Sequence, residues 1–425
     1  MKHIIFICSI FWVISLSAQS PYGFRGPARS GIYPETGLLK SWLEEGPPLL
    51  WETSDVGKGY SSPVIVGNRI YITGLNEDND RELFIAYSLD GEKIYETEYG
   101  IAWDRSYPET RATPTVYRNR AFVTNGMGDL SCIDVADGNI IWQATASAFG
   151  IKYGSWGASE SPLVYDDKVI YTPCGEQTVM VALNIRTGEI VWKTEALGDP
   201  INYASPIMIV HNGKRQIIGI TGHHIIGVHP ETGNIEWKFN EWGREHLKRT
   251  DPEARLNSEE STTPVSPVFS NGRIFITSGY DFGSFMLQLN DDATGVELLW
   301  RNNEFDTHHG GVVLVNGTLY GTNWLSNTQG NWMAVDWNSG ATQYETPWGD
   351  GKGKGAIITA DNMLYCYDER RGTMGLVKPN PEKFEVVSEF RITKGEGPHW
   401  AHPVIDKGIM YIRHGTVLMA YNIKE

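Results

Sequence analysis

Cysteine is scarce in this chain of 425 residues: there are four, and they do not fall into pairs. Cys8 lies inside an opening apolar run, which leaves Cys132, Cys174 and Cys366, an odd number at wide spacing. That excludes a disulfide framework, and three lone thiols read as small buried apolar residues. Adjacent cysteines are lacking, and so is Cys-x-x-Cys-His, so no haem is expected. Basic runs are lacking as well. With 36 Lys and Arg against 51 Asp and Glu the net charge is −15, and nucleic acid, whose phosphates need a positive face, is excluded as a partner. After residue 18 no apolar run approaches twenty residues, which predicts no transmembrane segment in the mature chain.

Residues 1–18 read as a signal peptide. Lys2 supplies the positive start, residues 4–16 form an apolar run too short to span a bilayer, and Ser17-Ala18 are small enough for cleavage. No cysteine stands at a lipoprotein cleavage position. The expectation is an exported, soluble protein, periplasmic or secreted.

What the chain does have is glycine, 46 copies, and aromatics at 12%, with charged residues at 20%. This composition suits a β-rich globular protein. One unit recurs: a small residue and proline, an alternating strand, a turn, a second strand, a polar loop, a third strand, a Gly turn, then a strand with Trp. "SSPVIVGNRIYIT" begins at Ser61, "RATPTVYRNRAFVT" at Arg111, "SESPLVYDDKVIYT" at Ser159, "YASPIMIV" at Tyr203, "PVSPVFSNGRIFIT" at Pro264 and "WAHPVIDKGIMYIR" at Trp400. "HHGGVVLVNGTLYGT" at His308 and "KGAIITADNMLYCY" at Lys354 lack the proline. Eight starts at this period predict an all-β fold, an eight-bladed propeller of four-stranded antiparallel blades. An open solenoid is the rival.

The unit's Trp strand appears once too early. "LLWET" at Leu49–Thr53 resembles "IIWQAT", "IVWKTE", "IEWKF" and "LLWRN", yet no unit precedes it. At the other end the last unit stops after three strands. The front strand is therefore predicted to complete the last blade by pairing near Val417 and Tyr421, which closes the ring and disfavours the solenoid. Residues 49–425 make the propeller, and 19–48 form a leader that packs across it.

The small-Pro strand start with "TGEIVW" at Thr187 resembles the PQQ-repeat, or quinoprotein-like, β-propeller family, over nearly the whole mature chain. "FRGPARSG" at Phe24 is similar to the leader of exported bacterial members. The resemblance implies the fold and leaves activity open. The family includes PQQ-dependent alcohol dehydrogenases, which use an adjacent cysteine disulfide and a calcium set of Glu, Asn and Asp, and a non-enzymatic periplasmic scaffold for outer-membrane protein assembly. PQQ, with calcium or another metal, is thus a possible cofactor by resemblance only.

Inner strands line a propeller's channel, and the loops leading into them open on one face. Three residues before the proline stand Tyr60, Arg111, Ser159, Tyr203, Pro264 and Trp400, with His309 and Lys354 in the blades that lack it. Glu160, His308, His399 and His402 are next to these positions. Such variety converging on one mouth marks a candidate site, with a solvated polar rim as the plain alternative.

Four chemistries compete there. A quinone carboxylate suits Arg111 or Lys354, with Glu160 as a metal carboxylate. For carbohydrate, Trp156 and Trp400, with Trp103, Trp324 and Trp332, offer stacking faces. On a uronate, His309, Tyr203 or Tyr60 would move the proton. For a metal, His308 and His402 are the candidate ligands, with His399 and His414 nearby. A protein partner needs only an exposed patch, and the insertion 241–261 suits a lid or a platform. His223-His224 reads as a surface pair. The sequence favours binding of an anionic ligand, an acidic carbohydrate or a quinone, at the funnel. A quinoprotein oxidoreductase, a uronate-active enzyme and an assembly scaffold stand as alternatives. Arg111 and Lys354 are expected as rim side chains whose loss leaves folding intact.

Overall fold

The structure is a computed structural model that describes residues 21–240, 262–349 and 353–425. Residues 1–18, expected as a signal peptide, and the 241–261 insertion lie outside the described residues. Eight sheets follow one another, each antiparallel and four-stranded, with a fifth strand added to one. Blade one is typical: Val64–Val66, Arg69–Leu75, Arg81–Ser88 and Lys93–Ile101. Its first three strands are largely buried, and the fourth alternates between exposed and half-buried residues. The ring's interior is apolar, and its outer edge faces water.

The repeat's residues hold neighbouring blades together. Three of the small hydroxyls before the proline serve the blade before them: Ser62 N donates to Thr113 Oγ1 (3.0 Å), Thr113 N to Ser161 Oγ (3.0 Å), and Ser161 N to Ser205 Oγ (2.9 Å). A buried backbone N–H left unpaired is costly, so these positions demand a short acceptor. The outer-strand Trp works the same way further out. Trp142 Nε1 donates to Ile185 O, Trp192 to Pro230 O and Trp300 to Trp337 O, each in the following blade. The turn glycine of that blade is what the indole packs on. A Cβ at Gly188 or Gly233 would sit 2.7 or 2.6 Å from the ring of Trp142 or Trp192. Blade four departs: Trp237 donates to Gln216 of its own blade, and Gln216 reaches across to Ala293 O.

Leu49–Thr53 pairs antiparallel with Val417–Asn422, Leu49 opposite Tyr421 and Thr53 opposite Leu418. Trp51 then donates to Leu89 O of blade one at 2.7 Å, as the other Trp residues do between consecutive blades. Arg413 seals the same junction from inside. Fully buried, it donates to Gly57 O, Ser61 O and Oγ, Thr73 O and Gly415 O. Burial lowers its pKa to about 9, still above neutral, so the charge is kept and carried by carbonyl dipoles.

The leader crosses the channel. Tyr22 exchanges backbone hydrogen bonds with Val116 of blade two (2.9 and 2.7 Å), and Ile32–Tyr33 adds a parallel fifth strand to the inner edge of blade seven. Between them Arg25 is buried and donates to Val312 O, Ile357 O and Gly310 O at 2.9, 3.1 and 3.4 Å. This explains why blade six lost its Ser-Pro. A Cβ on Gly311 would lie 1.9 Å from the Arg25 guanidinium, and one on Gly310 would lie 1.8 Å from Gly355 O.

Candidate functional site

A cavity of about 620 Å³ opens where the inner strands begin. Its wall carries Tyr60, Arg111, Ser159, Tyr203, Pro264, His309 and Trp400, the strand-start residues of seven of the eight blades. Blade seven differs. Lys354 is buried behind the wall and pairs with Glu369, which lines the cavity in its place. Lys354 also donates to Asn327 O at 2.9 Å.

Aromatic rings form a nearly continuous band. Trp400 meets Tyr60, Tyr107 and His309 at 4.8, 5.5 and 4.7 Å between centroids. His309 lies on His308 (3.6 Å), and His308 meets Tyr280 edge-on (4.6 Å). Tyr280 stacks parallel to Trp156 at 6.0 Å, and Trp156 meets Tyr203 at 5.8 Å. Arg111 belongs to the gap between Tyr203 and Tyr60, whose phenols both act on its charge. Its Nη1 donates to Trp156 O, while its Nη2 is enclosed and has no hydrogen-bond partner. Arg111 is therefore part of the wall, not the loose rim side chain expected. Burial lowers its pKa, partly offset by Glu82 and the phenols.

Opposite stands the charged group of blades six and seven. His309 Nδ1 is 3.9 Å from Glu369 Oε2, and Lys354 holds Oε1. Burial alone would raise the Glu369 pKa, but His309 and Lys354 outweigh it and hold the group below its ordinary value. The carboxylate stays ionised and faces His309 without a direct hydrogen bond to it. Tyr60 is the reverse case: burial, then Glu109, raise its phenol far above neutrality, so it is a proton donor rather than a base at pH 7. His308 is buried, its pKa driven well down by desolvation and by His309 and Lys354, so it is neutral. Tyr107 and Tyr280 both have positive φ, 50° and 60°. For bulky residues this is strain of about 1–3 kcal/mol each, of a kind concentrated at binding sites.

Other candidates fall elsewhere. His402 lines the floor, but both nitrogens are used inside the protein. Arg25 donates to Nδ1 (2.9 Å), so Nε2 carries the hydrogen and donates to His309 O (2.9 Å). Burial and Arg25 lower its pKa to about 3, in keeping with that neutral form. His399 is off the wall, stacked on His414 and accepting from Tyr367 Oη at 2.5 Å. Glu160 is buried below Ser159, accepting from Thr172 N at 3.1 Å. Trp103 and Trp332 are core residues, whereas Trp156 and Trp400 line the cavity. His223 and His224 both bond the buried Asp199, at 3.2 and 2.7 Å, so the pair is built into blade four rather than set on its surface. Glu369 and Tyr280 were missed because comparing strand starts sees only the loops into inner strands; Tyr107 lies in such a loop but away from the compared position, and Phe24 is in the leader. The second-to-third strand turns, "YDFG" at Tyr280 and "DERR" at Asp368, open on the same face and were the available signal.

Eight blades around a funnel lined by strand starts define a ligand-sized site on a β-propeller scaffold. The chain belongs to the PQQ-repeat propeller family: the family model described as outer membrane protein assembly factor BamB matches residues 100–346. A curated BamB of Alkalilimnicola ehrlichii is 25% identical over 196 residues, 45% of this chain and 46% of that protein. The chain spans about half the length of the curated relatives it matches. Among solved structures, BamB from Moraxella catarrhalis superposes with a TM-score of 0.62 at 13% identity, covering 88% of this chain and 99% of that one. Quinohemoprotein alcohol dehydrogenase from Comamonas testosteroni gives 0.65 at 12%, covering 93% and 79%. At these identities the likeness establishes fold alone.

The family raises the question of a quinone with calcium. The donors do not fit it. Among the described residues no three of His, Cys, Asp and Glu converge as a metal set. Glu369 is committed to Lys354, Glu160 lies below the wall, and Cys132, Cys174 and Cys366 are separate buried thiols. The cations on this wall that could meet a quinone's carboxylates are Arg111 and Arg370. Among the described residues no helix is long and apolar enough to cross a membrane.

Proposed function

We propose that this is an exported PQQ-repeat propeller that captures a small anionic ligand, an acidic carbohydrate in particular, in its funnel. The observation that carries the reading is Arg111: an enclosed guanidinium nitrogen without a partner, set in the one gap of an aromatic band. A uronate ring matches both features, with its carboxylate on Arg111 and its faces on Trp400, Tyr60 or Trp156. His309, whose Nδ1 faces the Glu369 carboxylate at 3.9 Å, puts an imidazole in the same funnel, which keeps a uronate-active enzyme within this reading.

The test is calorimetry with galacturonate oligomers and PQQ, and with neutral galactose oligomers as control. Arg111→Ala should weaken the acidic ligands by about 1.5–3 kcal/mol, ten- to a hundredfold, and leave neutral ones unchanged. Equal binding of acidic and neutral sugars would remove Arg111 from the reading.

A second reading rests on the family model and the BamB relatives: a non-enzymatic scaffold for a protein partner in the periplasm. It takes first place if no small anion binds.

A further inference from the structure

Propellers commonly have a channel that runs through the ring. Here the leader crosses that channel directly under the cavity. Phe24 is the one leader residue on the cavity lining among the described residues, and its ring sits edge-on against His402 at 5.2 Å. Below it Arg25 ties the leader to blades six, seven and eight through Gly310 O, Val312 O, Ile357 O and His402 Nδ1. Arg29 donates to Ser161 O and Pro162 O of blade three, both at 2.6 Å. Tyr22 and Ile32–Tyr33 fix the two ends on blades two and seven. Twelve residues thus touch five blades, and the blade-six glycines are shaped around Arg25.

We infer that the funnel is a blind well, and that it takes the free end of an acidic chain, or a single small molecule, rather than an internal stretch of polymer. The inference rests on the acidic-carbohydrate reading above. A polymer lying in an open groove is gripped wherever it touches. One that must enter a floored well can present only a terminus, because threading would require the leader to leave its hydrogen bonds. Phe24 then sets the depth and stacks under the terminal ring.

The experiment titrates the protein with polygalacturonate fractions of different mean length at equal mass. A well predicts sites in proportion to chain ends, one protein per chain, with trigalacturonate binding as tightly as the longest fraction. Sites that stay constant per gram, with several proteins on each long chain, would overturn the well and leave the ligand reading standing. Binding by none of these would remove both. Phe24→Ala supplies an independent arm. It should weaken trigalacturonate by up to about tenfold, the worth of one aromatic contact, while Arg25 still anchors the leader. No change on trigalacturonate with Phe24→Ala would mean that Phe24 is not the floor the ligand reaches.

Discussion

At the scale of single residues, two cations that look alike in sequence do different work. Arg111 and Lys354 occupy equivalent places at the starts of two inner strands. Arg111 has an enclosed nitrogen without a hydrogen-bond partner, whereas Lys354 is consumed by the buried Glu369. Lys354→Ala should destabilise the fold by roughly 3–5 kcal/mol, because it strands a buried carboxylate. Urea unfolding reads this directly, and an unchanged midpoint would mean that Glu369 finds another partner. Glu160 carries a prediction with a definite sign. Burial raises its pKa to about 8 from an ordinary 4.5, against the opposing pull of Thr172 and Arg29. Its stabilising contribution is complete below about pH 4.5, where both states hold the proton. It is lost as pH rises through about 8, since the unfolded chain ionises first. Wild type should therefore lose urea stability relative to Glu160→Gln between pH 5 and pH 8. Parallel curves would show that the folded carboxyl titrates normally. The types and chain positions of the wall residues were legible because the repeat aligns them. Which of them turn inward was not, since Glu369 decides the fate of Lys354 from another loop.

At the scale of elements, the repeat was legible because its recurring letters make contacts with a neighbouring blade. The Ser or Thr before proline accepts a neighbour's N–H, the Trp reaches a neighbour's carbonyl, and the turn Gly makes room for that Trp. Departures were legible only as losses. "HHGG" reads as a weakened start, and nothing local tells that Arg25, far back in the leader, is the reason. The outer strand Leu49–Thr53 was the easiest to place, its Trp being the signature of a strand with no blade of its own. A chain beginning at Gly59 removes that strand along with the leader. It should leave Val417–Asn422 as a bare edge and associate, read by size-exclusion chromatography. A monomer as stable as the full chain would show that the front strand does not latch the ring.

For the molecule as a whole, charge works against the proposed ligand. The net −15 repels an anion at a distance, while Arg111 attracts it at contact. Salt screens the distant field most. The association rate of trigalacturonate should therefore rise between about 10 and 150 mM salt, as stopped-flow fluorescence of the funnel tryptophans can follow. A falling rate would mean that the field at the mouth, with Arg111 and Arg370 on the wall, outweighs the rest of the surface.

The latch also sets a clock. A ribosome makes Leu49–Thr53 before any other strand of the eight four-stranded blades, yet that strand's partner, Val417–Asn422, comes after all the other described strands. Bringing them together costs about 5 kcal/mol of closure entropy for a loop of several hundred residues, so this pairing belongs to the end of folding. Until then the growing protein is an arc with two raw edges. A chain broken off before Val417 never loses them, and chaperones and proteases meet it as an unfinished object. The join between front and back thereby makes closure of the ring wait on the strand Val417–Asn422.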